Sequence, residues 1–262
     1  MSDERPDDAA RGAFADEPGD GRELLRDPPH GEPPHGEPPP LRVEHIPVRR
    51  TARLWRLGDA ATARETWVVL HGYGQLAERF VRHFVPLVGH RVVVAPEGLS
   101  RFYLDASRGA GEQPRVGATW MTREDRLHEI ADYVHWLDRA VEAVGGDELL
   151  ARAPLYVLGF SQGATTACRW LEHRARLGLP PAARLVLWGG GVPHDLHPEH
   201  GRAALRATPL TLVLGSDDEF VTPAVRAEQE RALRDAQVPY AVETYQGGHR
   251  LAPIALRRVI AG

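Results

Sequence analysis

A chain of 262 residues is long enough to bury one full core, and its composition, 42% hydrophobic and 26% charged, is ordinary for a globular protein. The net charge of −4 excludes the strong positive field with which proteins attract nucleic acid or anionic membranes. All 32 basic residues are arginines, so no lysine is present to act as a base or to form a Schiff base.

The first 40 residues are rich in Asp, Glu, Pro and Gly and nearly free of large apolar side chains. Such a composition cannot bury enough apolar surface to fold, so residues 1–40 are predicted to form a disordered tail. A repeated Pro-Pro-His-Gly-Glu unit in the tail contains His30 and His35. A proline-stiffened linker is the preferred interpretation of this repeat, and weak metal binding is the alternative.

The N-terminal stretch "MSDERPDDAARGAF" has no apolar core of the kind that marks a secretory signal. The chain contains one cysteine, which excludes an internal disulfide, and no apolar run long enough to span a membrane. From these features we expect a cytoplasmic protein without an integral membrane segment.

From residue 41 onward the pattern is that of a folded domain, predicted to cover residues 41–262. The stretch "RVEHIPVRRTARLWRLG" predicts one or two antiparallel strands. Five continuous apolar runs are typical of strands buried on both faces of a parallel sheet, and they read "TWVVLHGYG", "RVVVAPEG", "PLYVLGFS", "RLVLWGGG" and "PLTLVLGSDD". The less apolar "YAVETYQ" predicts a last strand near an edge.

Helical patterns separate these strands. In "REDRLHEIADYVHWLDRAVEAV" apolar residues recur at spacings of three and four, and Thr122-x-x-Asp125 is a candidate capping box at its start. A second helix follows "LGFS" and is closed by Gly178, and a third begins with Thr222 as N-cap and Pro223 at the first position. The alternation predicts an α/β fold with a doubly wound, mostly parallel sheet flanked by helices.

The run "LGFSQGAT" contains Gly-x-Ser-x-Gly around Ser161, directly after a predicted strand and before a predicted helix. With 26 glycines in the chain the pattern alone is weak, but this context is typical of a nucleophile elbow, whose glycines permit a sharp turn. A phosphate-binding turn is the alternative, yet neither Gly-x-Gly-x-x-Gly nor a lysine-containing P-loop is present. Ser161 is therefore predicted to be a nucleophile.

A serine nucleophile needs a base, a carboxylate that orients the base, and donors for an oxyanion. In α/β-hydrolases the carboxylate and then the histidine follow the serine along the chain. Here "GSDDEF" offers Asp217, Asp218 and Glu219 directly after a strand, and "GGH" places His249 after the last strand. Acidic turns and loop histidines are common without function, so the prediction depends on finding them together, in this order and at strand ends.

The predicted oxyanion hole uses two backbone N–H groups. One belongs to Gln162, the residue after the nucleophile, and the other to Tyr73 in the turn "LHGYGQ" after an early strand. An ordinary glycine turn is the alternative interpretation of this stretch. His71 precedes the turn, and we expect its neighbours to matter more than its ring.

Together, "VVLHGYG", "GFSQGA", "GSDDEFV" and "GGH" resemble the phospholipase/carboxylesterase branch of the α/β-hydrolases, which includes acyl-protein thioesterases. The resemblance covers about residues 64–260 and implies an α/β-hydrolase fold with no large lid domain. It also implies a serine hydrolase of esters or thioesters that uses no metal and no organic cofactor. The family pattern Gly-x-x-Asp-x-x-Val matches Gly215, Asp218 and Val221, so the resemblance assigns Asp218 rather than Asp217 to the triad.

The segment from about residue 97 to residue 122 departs from the family pattern and leaves the substrate open. It follows a strand at the sheet edge where ligands bind in such folds. Arg101 and Arg123 could meet an anionic group there. The candidate pocket residues are Phe102, Tyr103, Trp120, Met121 and Arg123. Simple loop packing is the alternative for the aromatic side chains.

Other chemistry-bearing residues have plainer interpretations. Cys168 lies in a predicted helix and is expected to be a small buried apolar residue. His194, His197 and His200 form a histidine-rich stretch whose spacing matches no standard zinc pattern, so a polar surface loop is preferred and no metal is predicted.

The sequence thus predicts a serine carboxylesterase that cleaves a small-molecule ester through Ser161, His249 and Asp218. A thioesterase, a (lyso)phospholipase or an acyltransferase on the same scaffold is the first alternative. A hydrolase-like domain that binds a ligand or a partner without catalysis is the second. Homo-oligomer formation is left open.

Overall fold

The computed structural model describes residues 41–105 and 113–261. Its strands are, in chain order, β1 Leu54–Leu57, β2 Glu65–Leu70, β3 Arg91–Pro96, β4 Ser100–Tyr103, β5 Val116–Thr119, β6 Leu155–Phe160, β7 Arg184–Trp188, β8 Leu210–Gly215 and β9 Tyr240–Tyr245. Within the described residues, seven strands form one sheet in the order β1-β3-β2-β6-β7-β8-β9, and β4 pairs with β5 in a separate hairpin. Every pairing in the large sheet is parallel except that of β1 with β3.

The helices that connect the strands are α1 Ala77–Phe80, α2 Arg126–Glu142, α3 Gly146–Arg152, α4 Gln162–Arg176, α5 His200–Arg206, α6 Pro223–Asp235 and α7 Pro253–Ala261, with a 3₁₀ helix at Val81–Leu87. The α/β fold and the strands predicted from the five apolar runs are confirmed. The structure adds α1, α3, α5 and the β4–β5 hairpin, which the sequence patterns did not predict. In the described part of the chain, no helix combines the length and apolarity needed to cross a membrane.

The core has two halves, one on each face of the sheet. Val68 and Leu70 of β2 pack with residues of α2 and α4 on one face, whereas Trp67 and Val69 pack with the 3₁₀ helix and α7 on the other. Because successive strand residues point to opposite faces, an unbroken apolar run such as β2 supplies both halves. This double burial holds the carboxyl ends of the central strands in place, and those ends carry the candidate site.

The edges of the sheet agree with the sequence patterns. The less apolar β9 pairs only with β8, so it forms one edge as predicted, and Val242 in it is exposed. At the other edge, the N-terminal stretch contributes the single strand β1. Residues 41–53 before it belong to no helix or strand and are mostly exposed, and we call this segment the arm. The predicted disorder of residues 1–40 lies outside the described residues and stays a prediction.

The predicted caps have different outcomes. Thr222 is the N-cap of α6 and accepts a hydrogen bond from the Val225 amide, as expected. The capping box at Thr122 is wrong, because α2 begins only at Arg126 and its N-cap, Asp125, makes no side-chain cap bond. The carboxylate of Glu129 instead accepts from the amide and hydroxyl of Thr122. Glu129, one helical turn after Asp125, thus accepts the hydrogen bond from the Thr122 amide that the capping box had assigned to Asp125.

Candidate active site

The segment around Ser161 is a sharp turn between β6 and α4. Ser161 has φ 54° and ψ −119°, a strained conformation for a residue with a side chain. Its amide donates to the carbonyl of Trp188 at 2.9 Å, which ties the turn to the end of β7. A Cβ at Gly159 would lie 2.2 Å from the carbonyl oxygen of Gly163, and a Cβ at Gly163 would lie 2.2 Å from that of Leu70. Both motif positions therefore require glycine, as a nucleophile elbow does.

The turn after β2 lies directly against this elbow. A Cβ at Gly72 would be 3.2 Å from the Cβ of Ser161. Within residues 41–105 and 113–261, neither the amide of Tyr73 nor that of Gln162 donates to a protein acceptor. Amides without a protein acceptor, one beside Gly72 and the other beside Ser161, are what an oxyanion hole requires. Both predicted donors are thus available.

Asp218 and His249 meet at the same edge of the sheet. Asp218 follows β8, and His249 lies in the loop between β9 and α7. With hydrogen on Nδ1, His249 donates to Asp218 Oδ2 at 2.9 Å, and the side chains are only 9% and 0% exposed. The amides of Phe220 and Val221 each donate to Asp218 Oδ1 at 3.0 Å. Because Nδ1 is engaged, Nε2 is the ring nitrogen that remains available to accept a proton.

The environment of Asp218 favours its charged form. Burial alone would raise the pKa of this carboxyl, but the hydrogen bond and charge of His249 and the two backbone N–H groups outweigh burial and hold the pKa below its ordinary value. Asp218 is therefore an anion at neutral pH and can only accept hydrogen bonds. An anionic acceptor fixes the Nδ1–H tautomer of His249.

Aromatic side chains and a glycine hold the His249 ring next to the elbow. The ring lies 4.8 Å from that of Phe160, the residue before Ser161, and 4.7 Å from that of Phe220. Gly189 has φ +55°, and a Cβ there would lie 3.0 Å from Cε1 of His249 and 3.3 Å from Oδ2 of Asp218. The imidazole is thus enclosed on several sides, which limits its rotation.

The ring of His71 has a structural role that sequence reasoning missed. It is fully buried, donates from Nδ1 to Gly72 O at 2.8 Å and accepts at Nε2 from the amide of Gly98 at 2.9 Å. Burial lowers the pKa of His71 to about 4, although the bond to Gly72 and the charge of Glu97 act in the opposite direction. A neutral ring therefore joins the turn after β2 to the end of β3 and supports the backbone that carries Tyr73.

The side chain of Gln162 joins the elbow to the end of the β4–β5 hairpin. Its Oε1 accepts from the hydroxyl of Thr119 at 3.0 Å and from the amide of Trp120 at 3.1 Å, and its Nε2 donates to the carbonyl of Met121 at 2.8 Å. The sequence analysis used only the backbone of Gln162. A long amide side chain at the first position of a helix was the available signal, because it can reach a neighbouring strand end.

The candidate pocket residues differ in burial and in the groups that they contact. Trp120 is 1% exposed and donates from Nε1 to His71 O at 2.8 Å, which favours the packing alternative. Met121 is partly buried against the core. The ring of Phe102 lies 5.1 Å from that of Tyr73, close to the predicted oxyanion turn. Tyr103 and Arg123 are exposed. Residues 106–112 of the same segment lie outside the described residues.

Arg101 and Asp195 belong to ion pairs in the described structure. Arg101 lies 3.4 Å from the buried carboxylate of Glu97. In the histidine-rich stretch, Asp195 pairs with Arg169 at 2.9 Å and also contacts Arg126.

Burial raises the pKa of the Cys168 thiol to about 12, so this cysteine stays protonated as expected of a packing residue.

Comparison with known proteins shows the family and the fold of this chain. A family model described as "Serine hydrolase (FSH1)" matches residues 62–255. No curated protein matches the sequence.

Among solved structures, the chain is similar to acyl-protein thioesterase 2 from Zea mays, with 20% identity, a TM-score of 0.60 and coverage of 80% of this chain and 97% of that one. It is also similar to a carboxylesterase from Mesorhizobium loti, with 20% identity, a TM-score of 0.57 and coverage of 80% and 94%. A carboxylesterase from Bacillus cereus is similar as well, with 16% identity, a TM-score of 0.55 and coverage of 80% of this chain and 92% of that one. The predicted α/β-hydrolase fold, with no large lid evident in the described residues, is confirmed.

Proposed function

Because this chain belongs to the FSH1 family of serine hydrolases, we propose that it cleaves carboxylic esters through Ser161, His249 and Asp218. One observation carries the proposal: the imidazole of a buried Asp218–His249 pair, 2.9 Å apart, lies 4.8 Å from the ring of Phe160, the residue that precedes Ser161 on a strained strand–helix turn. A buried carboxylate that orients an imidazole next to a serine is the arrangement that activates a hydroxyl as a nucleophile.

In the proposed reaction, Ser161 Oγ attacks the carbonyl carbon of the ester while His249 Nε2 takes the hydroxyl proton. The amides of Tyr73 and Gln162 donate to the oxyanion that develops on the carbonyl oxygen. The bond to the alcohol oxygen then breaks, and His249 returns the proton to the leaving alcohol. An acyl-enzyme on Ser161 remains.

Water completes the cycle. It attacks the acyl carbon, His249 accepts one of its protons, and the same oxyanion donors act again. The carboxylic acid leaves when the bond to Ser161 Oγ breaks, and His249 gives its proton back to Ser161. Asp218 stays ionised throughout and stabilises the imidazolium that forms twice in each turnover.

Thioesters are the second candidate substrate class, because the similar structures include an acyl-protein thioesterase as well as carboxylesterases. The same nucleophile and oxyanion donors serve both classes. They differ in the leaving group, which is an alcohol or a thiol, and the difference therefore concerns the surroundings of the leaving group rather than the triad.

The test is a panel of p-nitrophenyl esters and acyl thioesters of increasing chain length, assayed with the parent and with Ser161→Ala. We expect kcat/KM for the preferred substrate to fall by about 10⁴-fold or more in Ser161→Ala with the fold unchanged by circular dichroism. A fluorophosphonate probe should label the parent and not the variant. Ser100→Ala, in β4, is the matched control and should retain activity. Equal hydrolysis by parent and Ser161→Ala would overturn the proposal.

A further inference from the structure

A cavity of about 950 Å³ lies between arm residues 44–52 and helix α2. Ser161, Asp218 and His249 are not among its lining residues, and the proposed ester hydrolysis does not use it. Three of its lining residues, His45, Asp125 and His128, carry the side chains that most often bind transition metals. The lining of this cavity therefore includes three side chains that could bind a metal ion.

The three side chains converge although His45 is 80 positions from Asp125 in the chain. His45 Nε2 lies 3.1 Å from each carboxylate oxygen of Asp125, and His128 Nδ1 lies 2.8 Å from Oδ1. The two imidazole rings are stacked with centroids 3.8 Å apart. One donor atom from each residue can be chosen so that all three lie within 4.8 Å of one another.

These separations suit a small divalent cation. Ligand atoms at about 2.0–2.1 Å from a tetrahedral zinc ion lie about 3.3 Å from each other, close to the histidine–aspartate distances of 3.1 and 2.8 Å in this cluster. Neutral imidazole and carboxylate together are also ligands that zinc accepts. Because the two imidazole planes are stacked within 14° of each other, at least one of the exposed rings must rotate to turn its in-plane lone pair toward a common centre.

Asp125 has a conformation that makes it available as a ligand. It is the N-cap of α2 and has φ 49°, yet its carboxylate does not cap the helix. The carboxylate instead faces the two imidazoles. The three side chains are also exposed, so an ion could enter from solvent without rearrangement of the core.

We infer that His45, Asp125 and His128 form a binding site for one Zn²⁺ ion, which joins the arm to the start of helix α2. Water would complete the coordination, as it does at three-ligand zinc sites. The bound ion would hold an otherwise exposed segment against the domain. The role is structural, and the site lies apart from the residues proposed for hydrolysis.

Zinc binding to the untagged, chelator-treated full chain tests this inference directly. His30 and His35 in the N-terminal tail could also bind zinc, so the experiment starts from a background in which both are replaced by Gln. We expect this background variant to retain about one zinc ion per chain after dialysis. Cobalt titration should give the visible absorption bands of a low-symmetry site with nitrogen and oxygen ligands.

Single substitutions in that background identify the ligands. His45→Ala, Asp125→Asn and His128→Ala should each weaken zinc binding by at least about tenfold, whereas His194→Ala, at an exposed histidine elsewhere, should leave it unchanged. Circular dichroism and thermal melts of the metal-free variants check that each one is folded. A background variant that binds no zinc, or ligand variants that bind as well as it does, would overturn the inference.

Proteolysis supplies an independent readout. Arg49 and Arg50 in the arm are exposed and open to trypsin. Zinc should slow cleavage at these arginines in the background variant and should have no effect in His128→Ala. Equal protection in both would mean that zinc acts elsewhere. These measurements do not depend on catalysis, so their failure would leave the proposed hydrolase function untouched.

Discussion

A comparison of the His249–Asp218 pair with the His128–Asp125 pair, both in the described part of the chain, shows nearly identical distances and opposite surroundings. His249 Nδ1 lies 2.9 Å from Asp218 and His128 Nδ1 lies 2.8 Å from Asp125. The first pair is 9% and 0% exposed, and the second is 56% and 48% exposed. An imidazole and a carboxylate at nearly the same distance are therefore buried in the His249–Asp218 pair and exposed to water in the His128–Asp125 pair.

Burial decides what each cluster can do. Around Asp218 the low effective dielectric strengthens the interaction with His249, and backbone amides occupy the remaining lone pairs, so one tautomer is enforced. Around Asp125 water screens the charges and the side chains can reorient. A short histidine–aspartate distance alone therefore does not identify a catalytic pair.

The largest difference between the clusters should be in turnover. Asp218→Asn can donate to Nδ1 and would favour the wrong tautomer of His249, so we expect kcat/KM to fall by about 10⁴-fold. Asp125→Asn should change kcat/KM by less than about threefold, since that residue does not contact the proposed triad. Steady-state kinetics on the preferred ester measures both. Asp217→Asn, one residue away, is the control, and a loss of activity there comparable with Asp218→Asn would mean that the triad carboxylate is wrongly assigned.

A second contrast concerns the enclosure of the buried pair. In Gly189→Ala the new methyl group would press on His249 and Asp218, and we expect kcat/KM to fall by about tenfold to a hundredfold. Gly146→Ala is a close match because Gly146 has φ +54° but its Cβ would meet nothing within 4 Å. Both variants carry the same backbone strain, so thermal melts should shift for both, while activity should fall only for Gly189→Ala. If Gly189→Ala and Gly146→Ala lost activity equally, backbone strain alone would explain the loss and the predicted contact with His249 would be wrong.

The third contrast is in the pH dependence of stability. The pKa of Asp218 is lower in the folded chain than its ordinary value of about 3.9, so its stabilisation is complete above that value and is lost as the pH falls through the lower, folded-state pKa. The difference in unfolding free energy between the parent and Asp218→Asn should therefore shrink below about pH 4. Urea unfolding between about pH 3 and pH 7 measures it. A difference that does not change with pH would contradict the prediction.

The smallest expected effect is the response to salt. Exposed ion pairs are screened at high ionic strength, so any difference in melting temperature between the parent and Asp125→Asn should disappear in about 1 M NaCl. The difference between the parent and Asp218→Asn should persist, because the buried pair is screened much less. Differential scanning fluorimetry of the metal-free proteins at low and high salt measures both differences in melting temperature. If the difference between the parent and Asp218→Asn also disappeared at high salt, the predicted contrast between the buried and the exposed pair would be wrong.

The sequence could predict features that depend on backbone packing and chain order. The apolar strands, the glycines around Ser161 and the cap at Thr222 each leave a local signal. His249 and the acidic turn at 217–219 were predicted from their order along the chain and their positions after strands, and the family resemblance selected Asp218 within that turn. The pairing of Asp218 with His249 is in the structure, but their catalytic roles stay proposals.

Features that depend on side chains reaching between distant segments could not be predicted in this way. Glu129 replaces the expected cap at Thr122, and the side chain of Gln162 binds the end of β5. His45 meets Asp125 only because the arm runs along α2. No periodicity or short motif encodes these contacts, since each arises from the relative position of two elements after the sheet has formed.

The buried ring of His71 has a consequence for acid inhibition. Its pKa of about 4 keeps it uncharged through the range in which an ordinary histidine, with a pKa of about 6.5, gains its proton. The turn that carries Tyr73 would then keep its shape across that range. A decline of hydrolysis between neutral and mildly acid solution would therefore not come from protonation of His71 or from a change in the turn that it supports.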